Sequence, residues 1–251
     1  LERLTPNAVA LTIPIGFEQD FAGVIDLLNM KAVSFQGEHG ETITLEEIPE
    51  NLRPGAKEWR HKLVEKVAET DDKLTQKYLD GGEFSPTDLK LALRAATLSY
   101  RLVPVLCGSA LKNKGVQLIL DAVVDYLPSP LDMPPVKGVN PKSGQDETRA
   151  ADDQAPFSAL AFKLQTDPFV GQLTYFRVYS GTLSAGSYVM NSTKDESERV
   201  GRILRMHANR REELKEIQAG NIGAMVGLKI TRTGDTLCDP EHPIILEKIV
   251  F

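Results

Sequence analysis

Large apolar residues recur along the chain with more than one period, and those periods predict its secondary structure. Residues 9–15 alternate between large apolar and other side chains, which predicts a β-strand. Residues 102–107 form a short apolar run of the kind buried in a parallel sheet, and Gly108 then allows a sharp turn. Beyond the turn, apolar residues return at helical spacing until Pro128 ends the helix. The apolar residues at this spacing are Val116, Ile119, Leu120, Val123, Val124 and Leu127.

The segment between these two predicted strands has the pattern of an α+β insertion. Short β-like runs at residues 21–27, 30–35 and 42–45 are separated by turn residues. One long helix is then predicted from Pro54 to the glycine pair at 81–82. Its apolar stripe is Trp59, Leu63, Val67, Leu74 and Tyr78.

A second helix of the insertion is predicted to begin after Ser85. Ser85 is a favourable N-cap, Pro86 suits the first helical position, and Asp88 stands where a capping box has its acidic residue. The residues expected to face inward are Leu89, Leu93, Ala96 and Tyr100.

The C-terminal part of the chain has a different pattern. The chain from Pro128 to Pro156 is rich in Pro, Gly, Ser and Asp and has almost no apolar periodicity, so residues 135–155 are predicted to be a linker. Short alternating strands then follow without helices, at 157–164, 173–179, 187–190, 199–206, 222–228 and 236–238. Closely spaced strands favour a small closed antiparallel β-barrel, because closure leaves no exposed sheet edge.

These patterns predict an α/β and β multidomain protein. Mixed strands and helices are expected in residues 1–134, and an antiparallel β-barrel is expected in residues 156–251. With 251 residues, 41% of them hydrophobic, the chain can bury the cores of about two compact units. No apolar run approaches the roughly 20 residues that cross a bilayer. We therefore expect a cytoplasmic protein with no membrane contact.

The two parts of the chain differ in charge. Residues 1–155 carry a net charge of −7, whereas residues 156–251 carry +1. An acidic surface repels phosphates and suits a basic protein surface, while a neutral domain with clustered arginines can contact nucleic acid locally. The two parts are therefore expected to face different partners.

Several segments resemble one protein family. The Ser-Ala-Leu step at 109–111, directly after the predicted buried strand, resembles the last guanine-contacting motif of GTP-binding proteins. The surrounding segment 101–130, FRVYSGTL at 176–183 and MHANRREELKEIQAGNI at 206–222 are similar to elongation factor G, the family of GTPases that drives translocation on the ribosome. The resemblance runs through nearly all of the chain.

The resemblance implies a GTP-binding role for the loop after the second predicted strand. In the family, the backbone N–H at the position of Ala110 hydrogen-bonds the guanine carbonyl oxygen, and small side chains such as those of Ser109 and Ala110 leave room for the base. The implied GTP-binding residues are therefore Ser109, Ala110 and Leu111. By the same resemblance, the strands at 9–15 and 102–107 are parallel and belong to a partial α/β GTP-binding domain at residues 1–17 and 102–134, which carries an inserted α+β subdomain at 18–101. The barrel is then domain II of a translational GTPase.

The phosphate-binding part of such a site is missing from this sequence. A P-loop needs Gly-x-x-x-x-Gly-Lys-Ser/Thr, and no such string occurs. Cys107, Cys238 and the four scattered histidines lack the spacing of metal ligands or of a catalytic triad, so no catalytic or metal residue is assigned. We expect GTP or GDP with Mg²⁺ to bind the full-length parent, a GTP hydrolase, and no nucleotide to bind this chain tightly. Whether the chain itself has enzymatic activity stays open.

Acidic residues of the predicted long helix are candidates for a partner contact. Four of them share one helical face, at i, i+7, i+11 and i+14: Glu58, Glu65, Glu69 and Asp72. An ordinary solvated surface, partly paired with nearby lysines, is the simpler explanation. In elongation factor G, however, the inserted domain meets the flexible ribosomal stalk protein. The resemblance therefore implies a stalk contact by Glu65, Glu69 and Asp72.

Arginines of the predicted barrel form a second candidate. No acidic residue occurs between Arg199 and Arg211. Alternation along the predicted strand 199–206 places Arg199 and Arg205 on one face and Arg202 on the other. The resemblance favours backbone contact of Arg199, Arg202 and Arg205 with ribosomal RNA of the small subunit. The alternative is an ordinary barrel exterior, in which Arg210 and Arg211 pair with Glu212 and Glu213.

Three functions are compatible with these observations. The first is a monomeric fragment of elongation factor G that contributes a guanine-side loop, a stalk-docking insertion and a ribosome-contacting barrel to translocation. The second is a related translational GTPase, either a recycling-type paralogue or a ribosome-protection factor; the long insertion before GSALKNKG favours elongation factor G over the latter. The third is a stand-alone ribosome-binding module. Two strands and one helix would leave an apolar sheet face uncovered, which argues against that third function.

Overall fold

A computed structural model describes residues 5–37, 39–168, 170–207 and 210–246. The chain divides into two compact units, Leu1–Leu127 and Pro128–Phe251. In the described part of the chain, no helix is long and apolar enough to cross a membrane.

The first unit combines short strands with helices. Its strands are β1 (Ala8–Ala10), β2 (Thr12–Ile15), β3 (Gly23–Asp26), β4 (Lys31–Gln36), β5 (Thr42–Glu46) and β6 (Val103–Val105). Its helices are α1 (Arg53–Ala68), α2 (Asp72–Leu79), α3 (Pro86–Leu98) and α4 (Val116–Tyr126), and Glu18–Asp20 form a 3-10 turn.

Two sheets organise this unit. β1 and β6 pair in parallel, which confirms a parallel pair but only over part of the predicted strands. The single strand predicted at 9–15 is wrong, because the chain breaks at Leu11 and β2 pairs antiparallel with β3. β2, β3, β4 and β5 form an antiparallel sheet in that order. The main core is built by residues of both sheets and of the helices, including Val9, Ile25, Leu63, Val67, Leu89 and Leu93.

The prediction of one long helix at 54–80 is wrong, because the chain breaks between α1 and α2. The hydroxyl of Thr70 donates to the carbonyl of Val67 at 2.6 Å, which ends α1. The carboxylate of Asp71 accepts the amides of Lys73 at 2.9 Å and Leu74 at 3.2 Å, and so caps a new helix. Side chains that satisfy the backbone groups of two helix ends make this break favourable.

The capping box of α3 is confirmed. The amide of Asp88 donates to the hydroxyl of Ser85 at 3.1 Å, and the amide of Ser85 donates to the Asp88 carboxylate at 3.2 Å. Leu89, Leu93 and Ala96 are buried as predicted. The inward position predicted for Tyr100 is wrong: this residue lies beyond the end of α3 with φ of 57° and is 86% exposed.

Helix α4, predicted from the apolar spacing, is confirmed and packs on the first unit through one face. Leu118, Ala122 and Tyr126 contact the apolar clusters of the first unit. Within this chain a second apolar stripe is largely exposed, with Leu120 at 61% and Val124 at 79%. The helix is therefore apolar on two sides, and the first unit covers one of them.

The second unit is made of strands. They are β7 (Val136–Val139), β8 (Asp146–Arg149), β9 (Ser158–Asp167), β10 (Gly171–Ser180), β11 (Thr182–Ser184), β12 (Tyr188–Asn191), β13 (Glu196–Arg199), β14 (Arg202–His207), β15 (Arg210–Leu214), β16 (Glu216–Gln218), β17 (Ile222–Val226), β18 (Thr236–Cys238) and β19 (Ile245–Leu246). All of their pairings are antiparallel.

The largest sheet has the strand order β13-β12-β18-β9-β10-β17-β14-β15. It confirms the predicted antiparallel β region. Among the described residues, β13 and β15 stay at its two edges and are not paired with each other, so a closed ring of strands is not seen. Its inner face buries Phe176, Val178, Ile203, Met225 and Leu237 in one cluster.

The linker predicted at 135–155 is wrong in part, because β7 and β8 lie within it. They form a hairpin that pairs with β19. The side-chain oxygen of Asn140 accepts the amides of Lys142 at 2.9 Å and Ser143 at 3.2 Å, and Gly144 takes φ of 70°. Asn and Gly thus build the turn of this hairpin, although each strand is too short to show a clear apolar period.

Candidate functional site

The loop at residues 108–115 lies at the carboxyl end of the parallel strand pair. Ala8 is opposite Val103 and Ala10 is opposite Val105, so both strands leave the sheet at the same edge. Open α/β sheets bind ligands at this edge. The structure therefore places the predicted Ser-Ala-Leu step at a position suited to a ligand.

Backbone hydrogen bonds close this loop tightly. The amide of Ser109 donates to the carbonyl of Lys114 at 2.8 Å, and the amide of Lys114 donates back at 3.0 Å. The amide of Asn113 donates to the carbonyl of Ala110 at 3.1 Å. Asn113 has φ of 49°, a left-handed conformation that Asn adopts more readily than most residues. The loop is a compact turn with its backbone fixed by its own bonds.

The turn between β4 and β5 supports the loop from outside. Nδ2 of Asn113 donates to the carbonyl of His39 at 2.7 Å, and Nε2 of Gln117 donates to the carbonyl of Gly40 at 3.0 Å. A Cβ at Gly40 would approach the Asn113 carbonyl oxygen to 2.8 Å, and φ there is 61°. Glycine thus permits the close approach between the inserted sheet and the loop.

Thr12 joins the ends of the two parallel strands. Its hydroxyl accepts the amide of Cys107 at 3.0 Å and lies 3.5 Å from the Cys107 sulfur. Burial raises the pKa of the Cys107 thiol, which keeps the thiol protonated at neutral pH and weakly nucleophilic. Cys107 and Cys238 are both free thiols, as predicted.

The loop offers backbone groups rather than reactive side chains. Leu111 is 96% exposed, Ala110 is exposed and Ser109 is half-buried. Within the described ranges, the amide of Ala110 has no hydrogen-bond acceptor, so it is available to a ligand oxygen. The same ranges contain no group of three or more His, Cys, Asp or Glu residues that could hold a metal ion.

The candidate acidic residues do not share one helix. Glu65 belongs to α1, Glu69 is the residue at its C-cap, and Asp72 begins α2. The common helical face predicted from their spacing is therefore wrong, and the break at Thr70–Asp71 is the reason. All three side chains are exposed, and Glu69 pairs with Lys66 at 3.1 Å.

The candidate arginines lie on two strands rather than one. Arg199 ends β13, and Arg202 begins β14 after a break at Val200–Gly201. The single strand predicted at 199–206, and with it the shared face of Arg199 and Arg205, is wrong. At this break the chain begins to pair with β17: the amide of Gly201 donates to the carbonyl of Val226 at 2.9 Å.

The three arginines also differ in their ionic contacts. Arg205 pairs with Glu212 at 3.4 Å, whereas Arg199 and Arg202 are exposed and have no ion-pair partner in the described part of the chain. Arg211 forms two hydrogen bonds with the buried carboxylate of Asp167, at 3.2 and 2.6 Å. The sequence did not identify this buried pair, because its members lie on separate hairpins.

Comparisons with known proteins place these features in context. Residues 156–240 match the family model of elongation factor G domain 2. A solved structure of a protein from Thermus thermophilus is similar over 94% of this chain, with 25% sequence identity and a TM-score of 0.73. This chain spans 32% of the length of that solved chain. Residues 156–240 of the second unit are thus similar to elongation factor G domain 2.

Proposed function

We propose that this chain is an internal portion of a translocating elongation factor G, which moves the ribosome in a GTP-dependent step of protein synthesis. The observation that carries the proposal is the match of residues 156–240 to elongation factor G domain 2. The similarity to about a third of a longer solved chain supports it. In this proposal residues 1–17 and 102–134 belong to the GTP-binding domain, 18–101 to its insertion, and 135–155 to the connection with domain II.

The exposed stripe of α4 supports a larger GTP-binding domain. A helix that is apolar all round is normally buried on all sides, and Leu120 and Val124 of α4 are largely exposed here. The parallel pair of β1 and β6 is also much smaller than the sheets in which parallel strands normally occur. Additional parallel strands would enlarge this sheet, and their packing on α4 would bury Leu120 and Val124.

The loop at 109–111 is proposed to contact guanine in that larger domain. The free amide of Ala110 suits a carbonyl oxygen, and the small side chains of Ser109 and Ala110 leave space beside it. Phosphate and Mg²⁺ ligands would come from the rest of the parent protein, which we propose to be a cytoplasmic, monomeric GTPase.

We further propose that the strands of domain II curve into a closed barrel. Val189, Val200 and Met225 are all buried in the one cluster that fills the inner face of the large sheet. The amide of Gly186 donates to the carbonyl of Val200, and the amide of Gly201 donates to the carbonyl of Val226, both at 2.9 Å. The chain between β13 and β14 thus bonds to separate parts of the domain, as a barrel corner does.

The exposed acidic residues of the insertion are proposed to dock the ribosomal stalk protein. Glu65, Glu69 and Asp72 fall within ten residues of each other around the α1–α2 break, and all are solvent-exposed. A docking surface formed by these three residues therefore does not require one continuous helix. A basic partner surface would be attracted by the net charge of −7 on residues 1–155.

The arginines of domain II are proposed to contact ribosomal RNA of the small subunit. Arg199 and Arg202 are exposed and unpaired in the described part of the chain, so their guanidinium groups are available to phosphate oxygens. Arg205 shares its charge with Glu212 and would have to exchange that partner for phosphate. Such contacts would position the factor without reading base sequence.

The test is the activity of the full-length parent. Purified parent protein should hydrolyse GTP faster with ribosomes than alone, and should move messenger RNA by one codon in a toeprinting assay. Ribosome splitting without codon movement would instead favour a recycling-type paralogue. Absence of any ribosome-stimulated hydrolysis would contradict the proposal.

A further inference from the structure

A cationic groove lies in the second unit, away from the arginines proposed to contact RNA. It has a volume of about 440 Å³, within the range of small-molecule sites. The residues that line this groove include Pro130, Met133, Pro134, Lys137, Arg149 and Arg177. Its walls come from the proline-rich segment, the β7–β8 hairpin and β10. Because β10 is distant in sequence from the other two walls, the sequence alone did not indicate the groove.

The fold brings two of these walls into close contact. Gly220 has φ of 80°, and a Cβ at this position would approach the Cγ of Pro130 to 2.6 Å. Gly220 also donates its amide to the carbonyl of Val178 at 2.8 Å. The proline-rich segment therefore sits directly against the backbone beside β10, and the groove is a built feature of the unit.

The charges that line the groove are all positive. Lys137, Arg149 and Arg177 line it, and no carboxylate does. The positive charge of Arg149 is neutralised by a residue outside the groove, because its Nη1 lies 2.8 Å from the carboxylate of Glu147. Arg177 and Lys137 have no ion-pair partner in the described part of the chain. Two uncompensated cations are thus available to a ligand.

Protein contacts hold two of these cations in place beside the groove. The side chain of Arg149 is only 11% exposed, its Nη1 lies 2.8 Å from the Glu147 carboxylate, and its Nη2 donates to the carbonyl of His242 at 3.3 Å. The guanidinium carbon of Arg177 lies 5.2 Å from the centre of the Tyr179 ring, which restrains this side chain beside the groove.

We propose that this groove binds a small organic phosphate. A phosphate monoester carries a charge of about −1.5 to −2 at neutral pH, which matches the two uncompensated cations better than a single carboxylate does. Its oxygens would accept from the guanidinium group of Arg177, and the apolar walls formed by Met133 and the prolines would contact the organic part. This inference stands independently of the proposed ribosomal function.

The test is titration of this chain with phenyl phosphate, followed by calorimetry and by NMR shifts of Val178 and Gly220. We expect saturable one-to-one binding, weakened at least about fivefold by Arg177→Gln and by Lys137→Gln, a loss of roughly 1 kcal/mol. Lys215→Gln, which removes an exposed lysine outside the groove, should leave the affinity unchanged. Circular dichroism checks that each variant is folded.

Comparison ligands separate phosphate recognition from other causes. Inorganic phosphate should bind more weakly than phenyl phosphate, because it lacks the apolar part. Equal affinity for benzoate would overturn the choice of phosphate, since one negative charge would then suffice. Failure to saturate by about 10 mM phenyl phosphate, or equal weakening by Lys215→Gln, would overturn the site itself.

Discussion

Individual arginines show how far sequence reasoning reaches at the scale of single residues. Their clustering in the second unit is visible in the sequence, but their partners are not. Arg211 binds the buried carboxylate of Asp167, which is 44 residues away, whereas Arg202 is exposed and unpaired in the described part of the chain. A cluster of arginines in the sequence does not show which one forms a buried ion pair and which one is exposed. Burial and pairing with distant residues decide this.

Removing the exposed arginines should weaken ribosome binding. In the full-length parent, Arg202→Ala with Arg205→Ala is expected to lower affinity for the ribosome and to flatten its dependence on salt, because each lost phosphate contact releases one counterion fewer. Measuring the dissociation constant across a salt series tests this. The slope of log K against log salt should fall by roughly 1 for each lost contact.

Lys142→Ala is the matched control for this experiment. Lys142 is an exposed cation of the same unit, in the β7–β8 turn. Lys248, another possible control, lies outside the described residues. Unchanged affinity and an unchanged salt slope in the double variant would show that the arginines are ordinary solvated surface.

At the scale of elements, local signals that act within one turn were predicted correctly. The capping box of α3 is written in four consecutive residues, and both of its hydrogen bonds form. The break between α1 and α2 was missed for a definite reason. Leu74 and Tyr78 follow Val67 at intervals of seven and eleven residues, so the apolar stripe keeps its phase across the break. The spacing of apolar residues therefore gives no sign of a helix break when the residues beyond the break continue the same stripe.

Loss of the α3 cap should destabilise the first unit. Ser85→Ala is expected to lower its unfolding free energy by about 0.5–2 kcal/mol, since one backbone amide of the first turn loses its acceptor. Trp59, the chain's single tryptophan, lies in α1, so its fluorescence during urea unfolding reports on this unit. Thr87→Ala, an exposed change in the same helical turn, should have little effect. Equal losses in both variants would argue against the cap.

The acidic member of the capping box should make this stability depend on pH. Hydrogen bonds from Lys77 and then from Ser85 lower the pKa of Asp88. A lowered carboxyl pKa contributes stability above the unfolded pKa, and that contribution is lost as pH falls through the folded value. Asp88→Asn should therefore destabilise the first unit at neutral pH, and the effect should shrink progressively as the pH falls below the unfolded Asp value of about 3.9. An effect that does not change with pH would exclude an ionised Asp88 as the cause.

Charge reversal around the α1–α2 break should slow association with the ribosome. A full-length triple variant with Lys at positions 65, 69 and 72 is expected to bind stalk-bearing ribosomes more slowly at low salt in stopped-flow experiments, because rim charges mainly set the association rate. Each exposed pair is worth only about 0.2–1 kcal/mol. Single changes are therefore expected to be nearly silent.

A second triple variant provides the charge-matched control. Glu46, Glu50 and Glu83 are exposed acids of the same unit, and their replacement by Lys alters net charge equally. Circular dichroism of this chain checks that α1 and α2 persist in both variants. If the two triple variants slow association equally, overall charge rather than a stalk-docking surface is responsible. Normal association of the first variant would remove the stalk hypothesis.

At the scale of the whole molecule, α4 shows why the sequence predicts a helix but not its direction of packing. Its apolar residues occupy two faces, and the sequence does not say which face this chain can cover. Leu118 and Ala122 contact the apolar clusters of the first unit, whereas the stripe that includes Leu120 and Val124 is left largely exposed. The β7–β8 hairpin was missed because each strand is too short to show an apolar period. Its pairing with β19, about 100 residues away, has no local signal in the sequence.

In the proposed parent protein, the phosphate and Mg²⁺ ligands lie outside this chain. This chain alone is therefore predicted to bind guanine nucleotide weakly. The loop offers one free amide, at Ala110, and a single hydrogen bond contributes about 0.5–1.5 kcal/mol. Submicromolar affinity requires more than about 8 kcal/mol, and the P-loop that would supply phosphate contacts is not in this sequence. Calorimetry with GDP and Mg²⁺ should therefore show no submicromolar binding to this chain, while the full-length parent should bind. Tight binding to this chain would mean that a phosphate site exists within these 251 residues, and the assignment of the loop to one part of a larger nucleotide site would be wrong.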